Sequence, residues 1–119
     1  MFTVANRIFV NAEYSGAFEH AFLTRAGLVD KMPGFLYNQV LRPVNPGDPY
    51  IILTYWEKRE LFEAWVNSES FIKGHARSGS LPAETYSGPS KLEVFTVIQD
   101  SRDTGLEAEA PGEPMNFHG

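Results

Sequence analysis

Apolar and polar side chains alternate along TVANRIFV at 3–10, with Val4, Asn6, Ile8 and Val10 on one face and Thr3, Ala5, Arg7 and Phe9 on the other. A period of two predicts a half-buried strand. The period then lengthens: Phe18, Ala21, Phe22, Leu28 and Val29 recur at helical spacing to about residue 30, with Asn11 or Ser15 as candidate caps and Glu13 near the positive helix end. Lys31 closes that run and Pro33-Gly34 breaks it. FLYNQVLR at 35–42 and YIILTYW at 50–56 read as a hairpin joined by the breaker-rich PVNPGDP at 43–49. After Glu57, Leu61, Phe62, Trp65 and Val66 share a helical face. Asn67-Ser68 interrupts it, and Ser68 can cap a second short helix over 69–77 carrying Phe71, Ile72 and His75. Residues 78–90 (SGSLPAETYSGPS) predict a loop of the length used for functional lids, and KLEVFTVIQ at 91–99 predicts the last strand.

The resulting order, β-α-β-β-α-β, is the ferredoxin-like arrangement of the α+β class. Its third strand carries a further message. Tyr50, Ile51, Ile52, Leu53, Tyr55 and Trp56 leave almost no polar side, and a strand apolar on both faces is buried on both. One layer of helices covers one face of a small sheet, so a second copy of the chain is expected over the other. The expected assembly is a homodimeric α+β barrel.

With 119 residues, the chain holds one modest core, assigned here to a domain over 1–99. No apolar run reaches the ~18 residues of a membrane span, and the N-terminus has no basic region followed by a cleavage site, so a cytoplasmic protein without membrane partners is expected. Residues 100–119 hold five acids and one base, which leaves ten acids against nine bases in 1–99. The body is nearly neutral and offers no basic stripe for phosphates, which excludes a nucleic-acid partner. The acidic tail has no periodicity and contains two prolines, so it reads as a solvated or loosely docked extension.

The absence of Cys removes disulfides, thiolate nucleophiles and iron–sulfur clusters, leaving His20, His75, His118 and the carboxylates for metal chemistry. Among these, His20 lies on the helix side opposite Phe18 and Phe22. His75 stands one helical turn from the long loop. Asn6 is anomalous, because a carboxamide on a core face costs about 1–3 kcal/mol unless partnered. It is either satisfied by neighbouring backbone or available to a ligand oxygen. Trp65 shares a face with Leu61, the usual position of a core anchor. Glu57, Glu60 and Glu63, interleaved with Lys58 and Arg59, form a solvated face. No HExxH, P-loop, GxGxxG or nucleophile elbow occurs.

The set NRI at 6–8, MPGF at 32–35, YIILTYW, and above all AWVNSESFIKGH at 64–75 resembles the antibiotic biosynthesis monooxygenase superfamily. Within it, the chain is most similar to the Isd-type haem-degrading monooxygenases. Asn6, Trp65 and His75 match that group's strand-borne Asn, helical Trp and axial His in type, order and spacing. The resemblance covers about residues 1–99. It implies that His75 supplies the axial imidazole to haem iron, that Asn6 hydrogen-bonds the reacting oxygen on the opposite side, and that Trp65 presses on the macrocycle. Haem would be both substrate and cofactor, with electrons from an external reductase. Two alternatives stay open: a cofactor-independent monooxygenase of a small aromatic substrate, and a non-catalytic dimer that binds haem or another apolar ligand.

Overall fold

Seven residues from Phe2 to Ile8 form the first strand (β1), and it ends two residues earlier than the alternation suggests. Beyond it, among the described residues, Val10 pairs only with Tyr86, in an isolated antiparallel bridge. The structure, a computed structural model, describes residues 1–23, 31–67, 81–110 and 112–115. A single 3-10 turn at Ala12–Tyr14 leads into helix α1 (Ser15–Leu23). Strands β2 (Phe35–Leu41) and β3 (Tyr50–Trp56), helix α2 (Arg59–Val66), a 3-10 turn at Ala83–Thr85 and strand β4 (Lys91–Thr96) follow. The predicted continuation of the first helix to residue 30 and the short helix at 69–77 lie outside the described residues.

The four strands form one antiparallel sheet in the order β2-β3-β1-β4. This is the ferredoxin-like α+β topology expected from the pattern. β1 occupies the interior, and its register sets Val4 opposite Thr54 and Val94, and Asn6 opposite Ile52 and Leu92.

One face of the sheet carries the core, which falls into two groups. Phe2, Val4, Trp56 and Phe62 form the first, with Leu61, Trp65 and Val66 of α2 packed on it. Ile8, Phe18, Tyr50 and Ile52 form the second, with Phe22 of α1 and Leu81 and Tyr86 of the later loop. Aromatic contacts hold each group together: Phe35 and Phe62 meet Trp56 edge-on at 5.4 and 5.9 Å, and Phe18 meets Tyr50 at a tilt at 4.7 Å. Thr54 is buried in the same layer, where its hydroxyl accepts a hydrogen bond from Trp56 Nε1 at 3.2 Å.

Gly34 shows how closely β2 and α2 approach. Its φ of +79° suits a residue without Cβ, and an added Cβ would fall 2.0 Å from Leu61 Cδ1. Its carbonyl accepts the Glu57 N–H at 2.9 Å, tying the entrance of β2 to the entrance of α2.

The opposite face is thinly covered. Along β3, Tyr50, Ile52, Thr54 and Trp56 are buried while Ile51, Leu53 and Tyr55 are half-buried. Among the described residues, helices pack against β3 on one side only.

Candidate functional site between two helices

Asn6 stands where the two core groups meet. Val4 on one side belongs to the α2 group and Ile8 on the other to the α1 group; across the strands lie Ile52 and Leu92. Val4 and Ile8 are 4% and 7% exposed, whereas Asn6 is half-buried. The helix-bearing face thus presents one carboxamide in an otherwise apolar row, at the line between α1 and α2. An amide in that position can donate to an acceptor above the sheet without titrating itself.

Trp65 projects from α2 into the first core group, with its ring 5.7 Å from Trp56 and 6.2 Å from Phe62. It lies on the same side of the sheet as Asn6, within an aromatic cluster. His75 and His118 lie outside the described residues. His20 is exposed on α1, in keeping with its expected orientation. No group of three His, Asp or Glu side chains with metal-binding geometry occurs among the described residues.

The electrostatic anchor of α1 was not evident from the sequence. Glu19 accepts hydrogen bonds from Arg42 Nε at 2.9 Å, from Arg42 Nη2 and from the Tyr50 hydroxyl. These contacts fasten α1 to the ends of β2 and β3, beside the second core group. The Arg42 guanidinium, then the Tyr50 hydroxyl, lower the Glu19 pKa from its ordinary 4.5 to about 2. Burial, with the Glu19 carboxylate as the next cause, pushes the Tyr50 phenol up. The clue available in the sequence is Tyr50 itself, a hydroxyl on an apolar strand that needs a partner.

A carboxyl whose folded pKa is depressed contributes stability above its unfolded pKa and loses it as the pH falls toward the folded value. Wild type should therefore exceed Glu19→Gln in melting temperature at pH 6. That gap should close between pH 4.5 and about 2, as read by thermal unfolding of both proteins across the range.

Asn11 does not use its side chain as a cap, contrary to one of the two expectations for it. Its Nδ2 donates to the Glu84 carbonyl at 2.7 Å and its N–H to the Thr85 carbonyl at 2.8 Å. The residue joins the entrance of α1 to the later loop instead.

The described part of the tail, expected to be solvated or loosely docked, makes specific contacts with the body. Arg102 Nη2 donates to the Tyr37 hydroxyl at 2.6 Å, and its guanidinium lies 5.2 Å from the Tyr37 ring centre. Tyr37 stacks on Tyr55 at 4.3 Å. The Arg59 N–H donates to the Glu109 carboxylate at 3.2 and 3.4 Å, and Met115 packs against the first core group. Single side chains without periodicity make these contacts, so no repeating pattern announces them.

The sequence profile described as antibiotic biosynthesis monooxygenase matches residues 1–77. A haem oxygenase (mycobilin-producing) of Mycobacterium tuberculosis is 41% identical over 103 residues, which span 87% of this chain and 94% of the relative. The solved structure of the M. tuberculosis haem-degrader MhuD, with two haems bound in its active site, superposes with a TM-score of 0.70 at 33% identity, covering 86% of this chain and 100% of that one. SnoaB, a cofactor-independent oxygenase from Streptomyces nogalater, superposes with a TM-score of 0.66 at 22% identity over 86% of this chain and 97% of its own, a likeness of fold.

Proposed function

We propose that this chain, which belongs to the antibiotic biosynthesis monooxygenase family, is a haem-degrading monooxygenase that opens the haem macrocycle oxidatively and releases its iron. The observation that carries this reading is Asn6, a half-buried carboxamide set between two apolar core groups on the helix-bearing face. A flat apolar substrate with one polar reacting centre calls for such a surface. The similarity to the M. tuberculosis enzyme, across nearly the whole of that relative, points to the same substrate class.

Haem supplies the redox chemistry, and an external reductase supplies the electrons. The protein supplies placement. With haem and dioxygen bound, Asn6 would donate a hydrogen bond to the reacting oxygen, where charge develops. His75, ten residues after Trp65 in the sequence, would be the residue that ligates haem iron through its imidazole. Trp65, on α2, would press on the macrocycle. No described helix is long and apolar enough to cross a membrane.

The packing of Trp65 against Trp56 and Phe62 favours a second reading, in which the dimer holds haem or another apolar ligand without turning it over. Titration with haemin separates the readings. A stoichiometric Soret band that bleaches on addition of reductant in air, with iron captured by a ferrous chelator, is the expected result. A stable band under those conditions supports the binding protein. No band, with oxidation of an anthrone-like substrate in the absence of metal, supports the cofactor-independent reaction.

The homodimer belongs to the same proposal. Ile51, Leu53 and Tyr55 are half-buried on the open face, while Leu41 and Phe95 are 41% and 46% exposed. A second copy would cover this strip and close β3 on its second side. Leu53→Lys places a charge in it, which should weaken dimerisation by about tenfold to a hundredfold. Sedimentation equilibrium checks this, and a wild type of single-chain mass at micromolar concentration overturns the dimer.

A further inference from the structure

We propose that the C-terminal segment is a strap over α2, with Glu109 and Met115 acting as positioning residues for that helix and hence for Trp65. The effect on turnover rests on the haem reading; the effect on α2 does not. With eight residues, α2 is too short to be stable alone, and its N-terminal N–H groups have no partners within the helix. Lys58, at the cap position, makes no side-chain capping bond. Glu109 fills that role from fifty residues away, its two carboxylate oxygens 3.2 and 3.4 Å from the Arg59 N–H. The negative charge sits at the positive end of the helix, where it is favourable.

Two further contacts extend the hold. At Gly112 a Cβ would lie 2.6 Å from Arg59 Nη1, so the strap backbone runs directly against this side chain, whose Nε continues to Glu63 Oε1 at 3.0 Å. Met115 then packs on the group formed by Phe2, Val4, Trp56 and Phe62, the same group that receives Trp65. The strap is also anchored upstream. Arg102 follows the edge strand β4, is held by Asp100 at 3.0 Å, and reaches Tyr37 on the opposite edge strand β2. The segment therefore spans the width of the sheet before it meets α2. Its two anchorages lie on different elements, and a tail without a role would need neither.

The test uses the full chain with Glu109→Ala, Glu109→Gln and Met115→Gln, read by amide hydrogen exchange, near-ultraviolet circular dichroism and haemin turnover. Glu109→Ala should accelerate exchange of the Arg59 amide about tenfold, as expected for loss of one charge-assisted hydrogen bond, with β1 amides unchanged. Glu109→Gln, which keeps an acceptor, should restore part of that protection. Glu109→Ala and Met115→Gln should alter the near-ultraviolet signal of the Trp56–Trp65 pair and lower kcat severalfold, with haemin affinity within twofold of wild type. Wild-type exchange at Arg59 and an unchanged tryptophan signal in every variant would overturn the strap. So would equal acceleration at Arg59 and throughout β1, which marks global loss of stability. If wild type binds no haemin while the exchange and dichroism results hold, the haem reading fails and the strap stands.

Discussion

Asn6→Ala is expected to bind haemin as wild type does and to turn it over at least about a hundredfold more slowly. Removing one preorganised donor from a developing oxygen charge costs about 2.7–4 kcal/mol in comparable sites, which sets that scale. Folding should survive the change, because Asn6 is half-buried, at the junction of two apolar groups and central to neither. Removing an amide from an apolar row also removes its desolvation cost. Binding and rate should therefore separate, which a packing defect would not produce. Haemin titration gives the first quantity and single-turnover decay of the Soret band under excess reductant the second. Equal rates for wild type and variant would show that the carboxamide serves only the sheet.

His75→Ala should have the complementary phenotype, with loss of the stoichiometric Soret band or a rise in Kd of about a hundredfold or more. The chain has no Cys to take over as axial ligand, and His20 is exposed on α1. Imidazole added to the variant should restore a band by supplying the missing ligand from solution. Far-ultraviolet circular dichroism should remain that of wild type. A variant that binds haemin with the wild-type spectrum would place the ligand elsewhere and withdraw His75 from the mechanism.

The elements that could be read in advance are those whose burial repeats along the chain. β3 occupies Tyr50–Trp56 as expected, because every other side chain packs against a helix and the turn residues on its N-terminal side allow no extension. β1 stops at Ile8, although the alternation continues to Val10, because no described partner strand accompanies it further. Periodicity records which side of a strand is apolar and says nothing of where its neighbour ends. Asn6 was detectable as the one polar residue in an apolar row. Its position between the two helices depends on which core residues each helix covers, and that follows only from the packing of Phe18 and Phe62. The contacts of Glu19 with Arg42 and of Glu109 with Arg59 join residues 23 and 50 positions apart through single side chains. Interactions of this kind leave no local signature. The substrate class came from the resemblance carried by Asn6, Trp65 and His75, which itself left a cofactor-independent monooxygenase and a non-catalytic binding dimer open.

The division of the core has a consequence for how the molecule opens. Each helix rests on its own end of the sheet and is fastened there by its own charged contact, Glu19 with Arg42 for α1 and Glu109 with the Arg59 amide for α2. The row through Ile52, Asn6 and Leu92 is where the two halves adjoin. Cooperative units of a protein part where few buried contacts cross between them. Because β1 and β3 run unbroken across this row, only the helix layer above it can part, which would expose Asn6 while leaving Trp56 beneath α2 and Phe18 on α1 undisturbed. A rigid planar guest could enter by such a parting without melting either half, so slow amide exchange within both aromatic groups should coexist with fast admission of ligand.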